Sequence, residues 1–132
     1  MTVIIKTLPN ISVYYVKSNN GVKGASQAFD KLESYLDSLK GRKFYGLVYG
    51  KPPKDKYIAC MAINPGDNFD LPTMTVPGGE YAQEKVRDWG RNLAQVPGVF
   101  QKLIISNEVD TSRPSIEHYT SMRELRCLVP IK

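Results

Sequence analysis

The segment Arg113-Pro114-Ser115-Ile116-Glu117-His118-Tyr119 carries the residues best placed to do chemistry. It reads as a β-strand with a carboxylate inside it and an aromatic two positions further on. Side chains alternate faces along a strand, so Glu117 and Tyr119 share one side while Ile116 and His118 share the other. Ile116 marks the core side, and Tyr119 is itself a candidate for burial. A carboxylate beside an aromatic on a partly covered sheet face can hold a lipophilic cation. The plain alternative is a solvated glutamate on a half-exposed strand, because glutamate is rarely buried.

Other chemistries find little in the chain to work with. The single histidine, His118, cannot build a His-rich metal site. It faces away from Glu117, which argues against a direct Glu-His dyad. The chain has no Walker-type glycine loop, dinucleotide fingerprint, Gly-x-Ser-x-Gly elbow or helix-turn-helix pattern. The expectation is therefore no metal and no cofactor. The two cysteines, Cys60 and Cys127, sit in apolar strand-like runs far from any CxxC spacing. They read as small core residues in a reducing compartment, with pairing between them left open.

A chain of 132 residues, 42% hydrophobic and 23% charged, suits one domain over residues 1–132. At this size roughly two-thirds of the unfolded surface can be buried without disulfide or metal. The start, Met1-Thr2-Val3-Ile4-Ile5-Lys6, lacks the pattern of a signal peptide. No run approaches the length of a membrane span, so a cytoplasmic location is expected, with no membrane partner. The net charge of +5 gathers in Lys40-Gly41-Arg42-Lys43 and Lys51-Pro52-Pro53-Lys54-Asp55-Lys56. Both runs are short and Asp55 interrupts the second. They read as solvated loop charge more readily than as an anion or nucleic-acid patch, and no direct nucleic-acid contact is expected.

These residues must be positioned by regular elements. β-branched runs predict strands from Val3 to Thr7 and from Ile11 to Val16. Ser18-Asn19-Asn20-Gly21 supplies turn and cap chemistry. Ala25, Ala28, Phe29, Leu32, Tyr35, Leu36 and Leu39 form one helical stripe, ended by a left-handed cap at Gly41. Phe44 to Tyr49 and Tyr57 to Ile63 predict two strands, and Asn64-Pro65-Gly66-Asp67-Asn68 a break. The second half then opens with a strand at Thr73 to Val76, bent at Pro77-Gly78-Gly79 and continued at Glu80 to Ala82. The spacing of Val86, Trp89 and Leu93 predicts a helix from about Glu84 to Gln95. Pro97 can open a further helical piece carrying Val99, Phe100, Leu103 and Ile104. Ile116 to Thr120 and Leu125 to Ile131 predict a closing hairpin around Ser121-Met122-Arg123. Each half, about 1–64 and 72–132, thus reads β-α-β-β, with an additional strand at the start of the chain. Such halves close most simply as an α+β fold: an antiparallel sheet, helices on one side, and a ligand cleft between the halves.

At Val76-Pro77-Gly78-Gly79-Glu80-Tyr81-Ala82, Trp89, Arg113-Pro114-x-Ile116-Glu117-x-Tyr119 and Leu128-Val129-Pro130-Ile131, the chain resembles the GyrI-like small-molecule-binding family. That family includes the effector-binding domains of AraC- and MerR-type regulators and stand-alone bacterial proteins. Phe44-Tyr45-Gly46-Leu47-Val48-Tyr49-Gly50 is similar to its third strand. The resemblance covers nearly the whole chain, and the Pro-Gly-Gly-x-Tyr turn and Pro-x-Ile-Glu-x-Tyr strand are its most specific parts. It implies a duplicated β-α-β-β fold whose cavity has aromatic walls and a carboxylate, at Glu117, that receives cationic, planar or amphiphilic compounds. Some stand-alone relatives hydrolyse strained cyclopropane-bearing compounds with a carboxylate in the same pocket. No DNA-binding domain is expected with this sequence, and the loop from Lys51 to Lys56 is basic where relatives often carry acids.

Three functions follow as expectations. The first is binding of cationic or amphiphilic aromatic compounds, for multidrug or effector sequestration, with Glu117, Tyr119, Trp89, Tyr49 and Tyr81 as ligand-binding residues. Eight tyrosines suit a wall with one apolar side and one wet end. Tyr15 and Tyr45 are weaker wall candidates, and Met61 and Met74 read as core filling. The second is a cofactor-independent hydrolase in which a buried Glu117 of raised pKa relays a proton. The third is a protein-interaction module such as a gyrase inhibitor, for which the positive charge makes DNA mimicry a poor mechanism.

Overall fold

The computed structural model describes residues 3–50, 54–121 and 123–132. The expected Lys51-Pro52-Pro53 part of one basic loop and Met122 of the last turn lie outside them. Eight strands form one antiparallel, curled sheet: β1 (Ile4–Leu8), β2 (Ile11–Lys17), β3 (Phe44–Tyr49), β4 (Lys56–Ala62), β5 (Thr73–Val76), β6 (Gly79–Arg87), β7 (Ser115–Tyr119) and β8 (Glu124–Pro130). Two helices, α1 (Ala25–Glu33) and α2 (Val96–Ser106), complete the α+β fold.

The strand order, β1-β6-β8-β7-β3-β4-β2-β5, explains how the duplication closes. The halves meet at β7 and β3, in the middle. From there each half runs outward as hairpin partner, then the strand that precedes its own helix. At each rim sits a strand donated by the other half: β1 pairs with β6, and β5 with β2. The β1–β2 and β5–β6 connections cross and touch, where the Gly78 N–H donates to Asn10 Oδ1 at 2.7 Å.

Both helices pack on one face. α1 covers β4 and β2 through Ala28 and Leu32, with Tyr57, Ala59 and Met61 beneath. α2 covers β8 and β6 through Val96, Val99 and Leu103, over Ala82, Val86, Leu125 and Cys127. The opposite, concave face has its own core of Val13, Leu47, Cys60, Val76, Tyr81, Ile116 and Leu128. Two-faced burial explains why several strands lack a clean polar alternation.

The structure corrects two element boundaries. The segment expected as a helix from Glu84 to Gln95 is strand β6 as far as Arg87, then a turn, and only its last three residues, Leu93–Gln95, are helical, as a short 3-10 turn leading into α2. Ala82, Glu84 and Val86 are buried, while Lys85 and Arg87 are exposed, a period of two. Asp88 adopts the left-handed backbone (φ 47°) and ends the strand. The helix of this half begins at Val96, with Pro97 in its first turn, where a missing N–H costs nothing. The first helix also ends early, at Glu33. The Tyr35 and Leu36 N–H groups bond back three residues, tightening the chain out of the helix. Leu39, the last member of the expected stripe, is exposed. Gly41 still takes a positive φ of 76°, but in the turn before β3. Cys60 and Cys127 are buried and free, one on each face.

Candidate functional site

Glu117 lies on β7 beside the junction of the halves, on the helix-covered face. The residue is buried, 9% exposed. Tyr57 Oη donates to Glu117 Oε1 at 2.5 Å, and Tyr119 Oη donates to the same oxygen at 2.8 Å. No donor among the described residues reaches Oε2. The one sealed polar atom without a partner among them is Glu84 Oε2, so Glu117 Oε2 keeps some solvent contact.

The Tyr57 bond depends on a glycine. Tyr57 is on β4, and β3 lies between it and β7. On β3 the residue directly opposite Glu117 is Gly46. A Cβ there would collide with the Tyr57 hydroxyl and stand 2.7 Å from Glu117 Oε1. Glycine in a strand interior often marks such a close approach. Without a side chain at position 46, the phenol reaches across the strand.

Aromatic rings surround this group. Tyr119 is met edge-on by Phe29 of α1 (centroids 5.5 Å, 80°) and by Trp89 (5.2 Å, 70°). Phe29 also meets Tyr57 at 6.1 Å and Phe44 at 6.3 Å. Tyr119 is therefore a wedge between rings from the two halves. Trp89 sits on the turn after β6, between left-handed Asp88 and Gly90, and its indole N–H donates to Ser121 O at 2.9 Å. Phe29 and Trp89 thus flank Tyr119 on the side of the sheet where Glu117 lies. Two surface grooves, of about 390 and 610 Å³, lie beside β2 with α1 and beside β6 with α2. Glu117 lines neither of them.

The electrostatics are one-sided. Burial pushes the Glu117 pKa above the usual carboxylate range, and the two phenol donors only partly oppose this. Tyr57 and Tyr119 are held far above the ordinary phenol range by burial and by the Glu117 charge, so both remain donors. Cys127, directly opposite on β8, is pushed up to about 12 by burial and then by Glu117. It is an inert thiol. The other buried acid, Glu84, has a counter-ion: Lys102 Nζ lies 2.6 Å from its Oε1. Among the described residues no lysine or arginine pairs with Glu117.

The structure thus brings Glu117, Tyr119 and Trp89 together, and adds Tyr57, Phe29 and Gly46. The expected wall residues Tyr49 and Tyr81 are elsewhere. Both belong to the concave-face core, with Tyr15 and Tyr45, because their strand positions alternate to that side. Tyr81 donates to Pro77 O at 2.6 Å and lies under the Arg113 guanidinium, 4.8 Å from the ring centroid. Arg113 bonds the carbonyls of Gly78, Glu80 and Ile131 and the Asp110 carboxylate. The Pro-Gly-Gly-x-Tyr turn and Arg113 therefore form a structural staple. Among the described residues no group of acids, histidines and cysteines could hold a metal ion. No helix among them is long and apolar enough to cross a membrane.

No family model and no curated protein matches the sequence. Solved structures do match the fold. The C-terminal domain of EcmrR superposes with TM-score 0.70 at 12% identity, covering 99% of this chain and 97% of that one. SAV2435 bound to tetraphenylphosphonium gives TM-score 0.65 at 14% identity, covering 100% and 94%. A hydrolase from Listeria innocua gives 0.60 at 10% identity, covering 98% and 91%. At such identities the likeness is one of fold, and it accords with the GyrI-like architecture expected from the sequence.

Proposed function

We propose that the chain binds organic cations, aromatic or amphiphilic, at Glu117. The observation that carries this is a buried carboxylate to which the described residues supply two phenol donors but no positive charge. A buried ion without a partner is costly, and a ligand cation that supplies one recovers part of that cost. Phe29, Trp89 and Tyr119 offer rings for cation–π contact, each worth about 0.5–2 kcal/mol when well placed. Apolar burial, at about 25 cal/mol per Å², supplies most of the remaining affinity and makes selectivity broad. Tetraphenylphosphonium bound to a protein of the same fold supports the ligand class.

Tetraphenylphosphonium is accordingly the first probe. Calorimetry at neutral pH should show saturable binding, weakened roughly tenfold or more in Glu117→Gln through loss of the buried charge pair. Emission from Trp89, the only tryptophan, should change as the rings part. Equal affinity in Glu117→Gln would remove Glu117 from the site.

A hydrolase reading has one observation in its favour: a carboxyl of raised pKa hydrogen-bonded to a phenol can hold a proton and relay it. A hydrolase from Listeria innocua with the same fold supports keeping this reading. Repeated turnover of strained electrophilic compounds, lost in Glu117→Ala, is the result that reading requires.

A further inference from the structure

On the concave face, strand register lines up four side chains across four neighbouring strands. Tyr45 of β3 is directly opposite His118 of β7, His118 is opposite Arg126 of β8, and Arg126 is opposite Lys85 of β6. Side chains so opposed have their Cβ atoms about 4.5–5.5 Å apart. The row therefore reads aromatic, aromatic, cation, cation. The Tyr45 and His118 rings stack, with centroids 4.5 Å apart and planes 29° from parallel. Tyr45 is buried and His118 half-buried. Neither imidazole nitrogen has a hydrogen-bond partner among the described residues.

The charge around the imidazole is predominantly positive. Arg126, Lys43 and Lys6 all act on it, with Glu124 the one opposing group among the described residues. Glu124 is already engaged, by Lys85 at 3.8 Å and by Arg126 Nε at 3.2 Å. Among the described residues the two terminal nitrogens of Arg126 have no partner, which leaves them for a forked contact. Lys6 and Lys43 take part in no ion pair among the described residues. Beside the row on β6, Gln83 points to the same face and is 2% exposed. Its amide has no hydrogen-bond partner among the described residues.

We propose that the concave face holds a second binding site, for a planar anion: an aromatic or heteroaromatic ring bearing a carboxylate or a phosphate. The ring stacks on His118. The acid group meets the free fork of Arg126 with Lys43 and Lys6 around it, and the Gln83 amide supplies a directional hydrogen bond. Burial and the neighbouring cations lower the His118 pKa to about 4, so at neutral pH the ring is an uncharged platform. The site is separated from Glu117 by the thickness of the sheet and selects the opposite charge. It stands or falls independently of cation binding there.

Because the chain has one histidine, the imidazole C–H resonances in proton NMR report on this site alone. The probes are phenyl phosphate, benzoate, inorganic phosphate and phenol. Phenyl phosphate or benzoate should shift the resonances saturably and raise the His118 pKa from about 4, since a bound anion favours the imidazolium. The tighter of the two names the acid group. Inorganic phosphate and phenol should each bind about tenfold more weakly, which is the worth of one aromatic stack or one charge contact. Arg126→Gln, and separately the double change Lys6→Gln with Lys43→Gln, should weaken the response by a similar factor, with thermal midpoints confirming folded protein. Glu117→Gln should leave it unchanged. No saturable shift with either aromatic anion, an equal response to inorganic phosphate, or loss of the response in Glu117→Gln would each overturn the assignment.

Discussion

Glu117 is where the chemistry of a single residue decides most. Its pKa is raised in the folded protein, so the native state holds that proton more tightly than the unfolded chain does. Linkage then fixes the sign: this carboxyl's contribution is most favourable below its ordinary value of 4.5. It declines as pH rises from there through the folded pKa, and is level above it. Glu117→Gln keeps an acceptor for Tyr57 and Tyr119 but cannot ionise. The variant should gain on the parent as pH rises, by about 1.4 kcal/mol for each pKa unit of the shift. Thermal midpoints measured from pH 4 to pH 7 will show the gap widening. Asp67, Asp110 and Glu124, whose pKa values are lowered by their partners, titrate in both proteins and cancel in the difference. A gap that stays constant across this range would mean that the carboxyl is not desolvated. The same linkage predicts cation affinity rising with pH across that window, because the charged form is the one that binds.

At the scale of elements, strand β3 matters through what it lacks. Gly46→Ala would push a methyl group into the Tyr57 hydroxyl and against Glu117 Oε1. The expected cost is about 1–3 kcal/mol of stability from overpacking, together with weaker binding of tetraphenylphosphonium as Tyr57 is displaced. Gly98→Ala is the matched contrast. That glycine lies in α2 with open space around its Cβ, so alanine should stabilise by about 0.5–1 kcal/mol. Urea titrations of both variants check the opposite signs. Such cases also show what the sequence could reveal. The shared face of Glu117 and Tyr119, and the opposite face of His118, follow from a period of two and were legible. The helix expected over residues 84 to 95 arose because Val86, Trp89 and Leu93 fit a helical spacing. The strand actually there was hidden by Glu84, an inward acid neutralised by Lys102 from eighteen positions further along the chain. Tyr57 was not legible as a site residue, because its reach to Glu117 depends on the register of three strands. The only trace of it in one dimension is a glycine in the middle of β3. That Tyr49 and Tyr81 lie on the other face from Glu117 was not legible for the complementary reason: an abundance of tyrosine says nothing about which face of a sheet each ring takes.

For the whole molecule, the decisive feature is the exchange of rim strands. β1 belongs in sequence to the first half but pairs with β6 of the second, and β5 does the reverse. Neither half can complete its portion of the sheet without the other. The crossing connections are fixed by Asn10 on Gly78 and by Arg113, which ties the Gly78 and Glu80 carbonyls to Ile131 at the end of the chain. The site inherits this arrangement, since Phe29 comes from the first half, Trp89 and Glu117 from the second, and Tyr57 reaches across the junction. Duplicated halves joined this way should unfold as one unit rather than as two. Trp89 emission reports the second half alone, whereas far-ultraviolet circular dichroism reports both. Their urea transitions should coincide in the parent protein. They should still coincide in Arg113→Ala, at a lower midpoint, because loss of the staple weakens both rims together. If the emission transition instead moved ahead of the dichroism transition in that variant, the halves would be independent folding units and the exchanged strands only a contact between them.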